Sequence, residues 1–196
     1  MDGQFLARLL RFDPGALVRM RPPGELWGAL PWGVLAVVRV AAVDTDRTVS
    51  ARDLLDGVAR PPVRDSEWRV GLPPAAAESV EHLPVPVVRR MARSAAETLR
   101  TVLESGVDGR TVGTRRLRDA LLDHVAITVT VDRPDSRYFG RVVPISQRLV
   151  QALTQMGFAG PANEFIDVLL AGPWVGLATD SGAVWYRISG PTLRPA

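Results

Sequence analysis

The stretch from Pro86 to Ser105 constrains the fold of this chain more than any other, because its apolar residues recur at intervals of three and four. They are Val88, Met91, Ala92, Ala95, Leu99, Val102 and Leu103. Pro86 suits the start of a helix, and Gly106 can take the left-handed conformation that ends one. The sequence therefore predicts a long amphipathic helix here, held in place by packing on its apolar side.

Four shorter patterns predict further helices. One helical face near the start carries the residues Phe5, Leu6, Leu9 and Leu10. Asp13-Pro14 resembles an N-cap with a first-position proline, so a second short helix is expected after it. The run 50–53 resembles a capping box, heading a helix that ends near Arg60 and faces inward through Leu54, Leu55 and Val58. Ser146 is a natural N-cap, and Gly157-Phe158 is typical of a Schellman closure.

Runs of β-branched and alternating residues predict strands. Residues 34–43 form a run rich in β-branched residues, broken only by Arg39, that is typical of a buried strand. Four strand-length runs follow in the second half of the chain, at 126–131, 164–170, 174–179 and 183–188. The prediction is an α+β fold, with helices enriched in residues 1–122 and packed on a mostly antiparallel C-terminal sheet that includes these runs and the strand at 34–43.

The chain is expected to form one domain over residues 1–196, with 60–74 as the one candidate for a weak subdivision. That segment contains four prolines and, among charged residues, Trp68. A large apolar side chain is unusual in a free linker, so the segment is expected to wrap over the core with Trp68 as its anchor.

Two residue types are missing, and their absence excludes several kinds of chemistry. There is no cysteine, and all 24 basic residues are arginine. Disulfides, thiolate sites, Schiff-base lysines and phosphate-loop lysines are therefore excluded. Biased codon usage explains the arginine content better than selection for binding does. No apolar run approaches the roughly 20 residues of a membrane span, and the start lacks a signal-peptide pattern, so a cytoplasmic protein without membrane contact is expected.

No pattern of catalytic or metal-binding residues stands out. His82 and His124 are isolated, so neither suggests a metal ligand or an acid–base pair. The glycines at 106–113 follow a predicted helix and fit no phosphate-binding motif, and no Gly-x-Ser-x-Gly occurs. Asp132 and Asp135 fit a solvated loop better than paired catalytic carboxylates. No catalytic, cofactor-binding or metal-binding residue is assigned, and no cofactor is expected.

Two features indicate a surface for a partner. Residues 111–148 carry the main charge surplus of the chain, with seven arginines against four acids: Arg115, Arg116, Arg118, Arg133, Arg137, Arg141 and Arg148 against Asp119, Asp123, Asp132 and Asp135. The C-terminal hairpin carries Trp185 and Tyr186, which alternation places on opposite faces, so one of them is exposed unless something covers it. The seven arginines and two aromatics form the candidate partner or nucleic-acid surface.

The first hypothesis for function is a non-catalytic cytoplasmic protein that binds another protein or itself. The second is a nucleic-acid-binding regulatory protein that uses the basic region at 111–148. The predicted helices at 114–122 and 146–157 resemble a helix-turn-helix only loosely, because 23 residues separate them. The third is an enzyme whose site is assembled in the fold without a local motif, since backbone amides, arginines and carboxylates are sufficient to build one.

Overall fold

The computed structural model describes residues 2–105, 121–160 and 164–188. Helices pack against a mostly antiparallel sheet of eight strands, which confirms the α+β prediction. The helices are α1 (Gly3–Phe12), α2 (Ala51–Leu55), α3 (Val85–Ser105) and α4 (Gln147–Gln155). In the part of the chain that the structure describes, none of them is long and apolar enough to cross a membrane.

The described residues form ten strands in two sheets. The strands are β1 (Leu17–Arg21), β2 (Glu25–Ala29), β3 (Leu35–Arg39), β4 (Arg47–Ser50), β5 (Glu78–Pro84), β6 (Val125–Thr130), β7 (Val142–Ser146), β8 (Phe165–Ala171), β9 (Trp174–Thr179) and β10 (Gly182–Arg187). The large sheet has the order β4-β1-β2-β3-β10-β9-β8-β5, and β6 pairs with β7 separately. Strands from both halves of the chain therefore meet in one sheet at the β3–β10 pair.

The N-terminal part is richer in strands than the sequence indicates. The helix predicted after Asp13-Pro14 is wrong, because Asp13 accepts a hydrogen bond from the Gly15 N–H (2.9 Å) in an Asx turn and the chain continues into β1. Val18 and Met20 are buried between more exposed residues, which is the period of a strand. The helix headed by Ser50 is confirmed, but it ends at Leu55 and leaves Val58 44% exposed.

The run at 126–131 also lies elsewhere than predicted. It forms β6, which pairs with β7 as a separate two-stranded sheet instead of joining the large one. Val129 and Ile145 of this pair are buried in the main core. The small sheet therefore covers part of the inner face of the large sheet, as the helices do.

The main core lies between this inner face and the helices. Leu9 of α1 packs against the backbone of Gly28 in β2, where a side chain on residue 28 would have no space. Leu149 and Leu153 of α4 are buried. The predicted Schellman closure of α4 is confirmed, since the Phe158 N–H donates to the Leu153 carbonyl (3.0 Å) and Gly157 has a φ of 70°.

The long central helix is confirmed as α3. Val85 and Val88 in its first turn are fully buried in the main core, whereas Met91, Ala92 and Ala95 are half-buried. The predicted helix that reaches Leu122 lies outside the described residues except for its end at 121–123. The described part of α3 is therefore anchored mainly at its N-terminal end.

The segment 60–77, which we call the strap, crosses the outer face of the large sheet. It begins beside β4, one edge of that sheet, and ends at β5, the opposite edge. Trp68 and Leu72 of the strap pack on a second apolar cluster made of Trp27, Leu35, Val37, Ala171, Trp174 and Trp185. The prediction that Trp68 anchors this segment on the core is confirmed.

Candidate functional site

The outer face of the large sheet carries one row of directly opposed residues across all eight strands. From β5 to β4 the row reads His82, Asp167, Ala178, Ala183, Val37, Trp27, Arg19 and Thr48. Residues opposite each other in antiparallel strands project to the same face. The row therefore places two alanines in the middle of the face, between larger side chains on both sides.

An open cleft of about 600 Å³ lies over these alanines. Its floor includes Ala178 and Ala183, and the indoles of Trp27 and Trp185 form part of its apolar wall. The strap closes one side of it through Pro73 and Pro74, of which Pro73 is buried. This volume is within the usual range for ligand-binding clefts in proteins, roughly 300–1,000 Å³. We call this feature the outer cleft.

Charged side chains form the rim of the outer cleft. Asp167 stands on β8, and Arg21, Glu25 and Arg39 stand on the β1–β3 side. Asp180 lies in the β9–β10 turn and lines the adjoining cleft together with Arg39. Glu25 accepts a hydrogen bond from the Trp27 indole N–H (2.8 Å) and lies 3.9 Å from the Arg21 guanidinium. The rim therefore carries charged groups of both signs.

The rim is extended on the β1 side by an ion pair between Arg19 and Asp46. The Arg19 Nε donates to Asp46 Oδ1 (2.8 Å), and this hydrogen bond holds the pKa of Asp46 below its ordinary value while raising that of Arg19. Arg21 approaches the same carboxylate at 3.8 Å. Asp46 is therefore neutralised by two arginines at this end.

A second cleft, of about 360 Å³, adjoins the outer cleft. Arg39, Asp180 and Ser181 line both spaces. Arg8 lines the second cleft and donates to the Met156 carbonyl (2.5 Å), which fixes the end of α4 against α1. Arg39 and Asp180 therefore stand at the junction of the two spaces.

Both edges of the large sheet are occupied by the chain's own groups. At β4, the Thr48 N–H donates to Asp65 of the strap (2.5 Å), and the Arg64 N–H donates to the Thr48 carbonyl (2.8 Å). At β5, the Arg133 guanidinium donates to the Ser79 carbonyl (2.9 Å), and the His82 N–H donates to the Glu81 carboxylate (2.8 Å). Protected edges disfavour pairing with a foreign strand at these positions.

The two aromatics of the predicted surface are both covered, though to different extents. Trp185 is 5% exposed and belongs to the second apolar cluster, so it is covered, as the sequence analysis allowed. Tyr186 is half-buried on the opposite face, where the Arg148 guanidinium lies 4.8 Å from its ring centroid. The strap covers one aromatic and Arg148 the other.

Three of the predicted arginines lie together in the loop at 132–141. Arg133 pairs with Asp135 (3.1 Å), and Arg137 pairs with Glu78 (3.1 Å) and donates to the Ala76 carbonyl. Arg141 donates to the Gly172 carbonyl (3.3 Å), and both it and Arg137 contact the ring of Tyr138. These cations tie the loop to β5 and to the β8–β9 turn, so they are only partly available to a partner.

Arg148 is a structural residue in this fold. Its side chain is 14% exposed, pairs with Asp123 and donates to the Trp32 carbonyl (2.5 Å). The remaining members of the predicted surface, Arg115, Arg116 and Arg118, lie outside the described residues. The structure therefore does not bring the nine predicted surface residues into one patch within the part that it describes.

The two histidines lie apart from each other. His82 Nδ1 is 2.5 Å from Asp167 Oδ1 at the edge of the outer cleft, and the side chain is 62% exposed. His124 is exposed, and its carbonyl accepts a hydrogen bond from the Gln147 N–H at the start of α4. Among residues 2–105, 121–160 and 164–188, no group of three or more metal-ligating side chains is present.

Family comparisons match most of the chain in two segments. Residues 72–191, more than half of the chain, match the family described as Domain of unknown function (DUF8185). The chain belongs to the DUF8185 family. Residues 3–79 match a second description, Domain of unknown function (DUF8010), and the two matches overlap over residues 72–79, at the end of the strap. The outer cleft of this DUF8185 member thus takes residues from both segments. A comparison with curated protein sequences returns no match.

Solved structures show that this DUF8185 member has the fold of bacterial sliding clamps. A C. crescentus β sliding clamp with polyethylene glycol bound has a TM-score of 0.55 at 12% identity. The β subunit of the Streptococcus pyogenes DNA polymerase has 0.55 at 9%, and a Bartonella birtlesii clamp bound to griselimycin has 0.54 at 11%. The alignments cover 96%, 98% and 96% of this chain and 63% of each clamp. The chain therefore spans less than two thirds of the clamps, and the likeness is one of fold.

Proposed function

We propose that this protein is a non-catalytic binding protein that holds a segment of a partner protein in the outer cleft. The observation that carries the proposal is the cleft, whose floor of small residues is open while the strap covers the adjoining part of the same face. Open apolar surface next to charged groups is typical of protein interaction sites. A segment seated on Ala178 and Ala183 would bury apolar area between the two indoles.

Two further observations support the proposal. The protected edges at β4 and β5 disfavour addition of a partner strand, which directs a partner to the face. The structural relatives include a protein named as the β subunit of a DNA polymerase, which is a component of a protein assembly. On this proposal the protein works in the cytoplasm, as its sequence predicts, and its single-domain organisation stays a prediction.

The test is to fill the cleft and measure the loss of a partner. Full-length protein and the variants Ala183→Trp and Ala178→Leu would be immobilised, and proteins captured from an extract of the source cells would be identified by mass spectrometry. Val142→Trp is the matched control, because Val142 is 58% exposed on the separate small sheet. Thermal unfolding would verify that each variant is folded.

The expected result is a partner that binds the wild-type protein and the control but not the filled variants. If the partner is a second copy of the protein, light scattering would detect a dimer of the wild type that the two filled variants do not form. A monomeric protein with no cleft-dependent partner would contradict the proposal.

A second candidate is binding of nucleic acid by residues 111–148, favoured by the DNA polymerase assignment of the relatives. Arg115, Arg116 and Arg118 would carry the phosphate contacts, since Arg133, Arg137 and Arg148 are paired within the fold. Replacing the first three by alanine should then weaken duplex DNA binding and reduce its salt dependence. Lack of binding at about 50 mM salt and micromolar protein would exclude this candidate.

A further inference from the structure

The second apolar cluster on the outer face of the large sheet is covered by the strap. The cluster contains three tryptophans, Trp27, Trp174 and Trp185, each no more than 8% exposed. In the described part of the chain, Trp68 and Leu72 are the partly buried apolar side chains from outside the sheet that pack on this cluster. Two strap side chains, four residues apart, therefore supply the apolar cover.

The middle of the strap is held on the sheet by side-chain packing alone. Hydrogen bonds tie its two ends to Thr48 and to Arg137. Between these ends, every hydrogen bond that residues 66–75 form with a described residue stays within the strap, such as the one from the Trp68 indole N–H to the Val70 carbonyl (2.7 Å). A segment with few buried apolar contacts and no hydrogen bonds to its surroundings belongs to the least stable part of a fold. The middle of the strap can therefore lift while its ends stay in place.

The covered cluster and the open outer cleft form one continuous surface. Trp27, Val37 and Trp185 belong to the cluster and also line the cleft. Pro73, which follows Leu72 in the strap, is buried and lines the cleft as well. Lifting the middle of the strap would therefore extend the outer cleft into a longer groove over the tryptophans.

We infer that the strap is a displaceable cover, and that the partner segment held in the outer cleft lifts it and puts its own apolar side chains in the places of Trp68 and Leu72. The strap itself shows which chemistry the groove accepts. It presents an aromatic side chain and a leucine four residues later, on a chain that is neither helix nor strand from Trp68 to Ala77 and makes no hydrogen bond to the sheet. The partner segment is therefore an irregular one with an aromatic and an aliphatic anchor at this spacing. This inference rests on the proposed function, of which it specifies the partner.

The strap and the partner segment compete for the same indoles, so the strap lowers the apparent affinity for the partner. The apparent dissociation constant is the intrinsic one divided by the fraction of molecules in which the strap is lifted. Removing the anchors of the strap raises that fraction. Binding of a segment with the same anchors is then expected to become tighter.

The probe is a fluorescein-labelled peptide with the sequence of residues 64–75, which carries both anchors of the strap. Its binding would be compared by fluorescence polarisation between the wild-type protein and the double variant Trp68→Ala, Leu72→Ala. The expected result is affinity at least tenfold higher for the double variant, because its own strap no longer competes. Val63→Ala, Val70→Ala is the matched control, since these strap residues are 60% and 41% exposed, and it should bind as weakly as the wild type. A peptide with alanine at both anchor positions should bind none of these proteins.

Trypsin tests the lifting of the strap in the wild-type protein. Arg69 is exposed in the middle of the strap, but a protease needs a segment that has come away from the surface. Lifting exposes little surface, so cleavage after Arg69 is expected at a rate that does not change at low urea concentrations. If this rate instead rises with urea in parallel with global unfolding, the strap does not lift separately and the inference is overturned. This measurement decides the question if the double variant fails to fold.

The outcomes separate this inference from the proposed function. A partner that is lost in Ala183→Trp but binds the wild type and the folded Trp68→Ala, Leu72→Ala protein equally would overturn the displaceable cover and leave the cleft as a binding site. Equal affinity of the peptide for the wild type and the folded double variant would also overturn the cover. Tight binding of the peptide to the double variant, with no cleft-dependent partner, would overturn the proposed function and with it the role of the strap in binding a partner.

Discussion

The indole of Trp185 lies over the backbone of Gly176, its direct partner across the β9–β10 pair. A Cβ atom built on residue 176 would be 2.7 Å from Trp185 Cε3, which is closer than a side-chain carbon can approach. The absence of a side chain at 176 therefore gives the indole its space. In that position the ring is 5% exposed and forms part of the wall of the outer cleft.

Gly176→Ala is expected to destabilise the protein by about 1–3 kcal/mol, because the rigid ring lies directly on residue 176 and either the ring or the strand must shift to admit a Cβ atom. The measurement is the midpoint and slope of urea unfolding. Gly71→Ala is the matched control, because no atom lies within 4 Å of a Cβ at that strap position. Equal midpoints for the two variants would show that Trp185 is not held against residue 176.

Gly157 tests the closure of α4 in a similar way. Its φ of 70° is left-handed, and a Cβ there would contact the Arg8 guanidinium, which donates to the Met156 carbonyl. Gly157→Ala is expected to lower the free energy of unfolding for two reasons. An alanine in the left-handed conformation costs about 1–2 kcal/mol, and the displaced Arg8 hydrogen bond costs about 1 kcal/mol more. Gly140→Ala is the control for the cost of the left-handed backbone, since Gly140 has a φ of 74° and no atom lies within 4 Å of a Cβ built there.

A double variant isolates the contribution of Arg8. In an Arg8→Ala background, Gly157→Ala should cost about as much as Gly140→Ala costs in the wild type, because the guanidinium is no longer in the way. Urea unfolding of the four proteins gives this comparison. A full additional cost in the Arg8→Ala background would mean that some other group occupies the space beside Gly157.

The ion pair of Arg19 and Asp46 predicts a dependence of stability on acid pH. The hydrogen bond from Arg19 lowers the pKa of Asp46 from its ordinary 3.8, so the folded state binds the proton less readily than the unfolded chain. The contribution is therefore complete above about pH 4 and is lost as the pH falls through the lowered pKa. Because 35% and 43% of the two side chains are exposed, its size is expected to be under about 1 kcal/mol.

Asp46→Asn should remove this contribution. Its free energy of unfolding should be lower than that of the wild type at pH 7, and the difference should shrink below about pH 4. Asp135→Asn is a comparison in which the Arg133 guanidinium also lowers the pKa of the carboxyl group, but at a fully exposed site. If the difference in free energy of unfolding between Asp46→Asn and wild type stays constant down to pH 2, the ion pair of Arg19 and Asp46 is not its source.

The sequence predicts the elements whose signals are local. The Schellman closure at Gly157-Phe158 and the N-cap at Ser50 each depend on neighbouring residues, and both are confirmed. The sequence does not predict strand β1 although Val18 and Met20 alternate with arginines, because Asp13-Pro14 also resembles a helix start. Two local signals competed, and the Asx turn at Asp13 decided the outcome.

The outer cleft could not be predicted in the same way. It brings Trp27, Pro73 and Asp167 together from distant parts of the sequence, and their contact depends on which strands pair and in what register. The path of the strap across the sheet also depends on β4 and β5 being opposite edges, which no single stretch encodes. Small residues at 178 and 183 are a weak signal, meaningful only when the register that aligns them is known.

The protected edges make a prediction about association. Asp65 accepts a hydrogen bond from the Thr48 N–H at the β4 edge (2.5 Å), and Arg133 donates one to the Ser79 carbonyl at the β5 edge (2.9 Å). Replacing both by alanine leaves one unpaired donor and one unpaired acceptor, each available to a strand of another copy. Because one copy's β4 would expose a donor and another's β5 an acceptor, the Asp65→Ala, Arg133→Ala protein is expected to associate at tens of micromolar, as measured by sedimentation velocity. Glu67→Ala is the control, since it removes the exposed pair with Arg64 (2.7 Å) and leaves both edge contacts in place. If the double variant and Glu67→Ala sediment alike as monomers, the two side chains do not protect the edges.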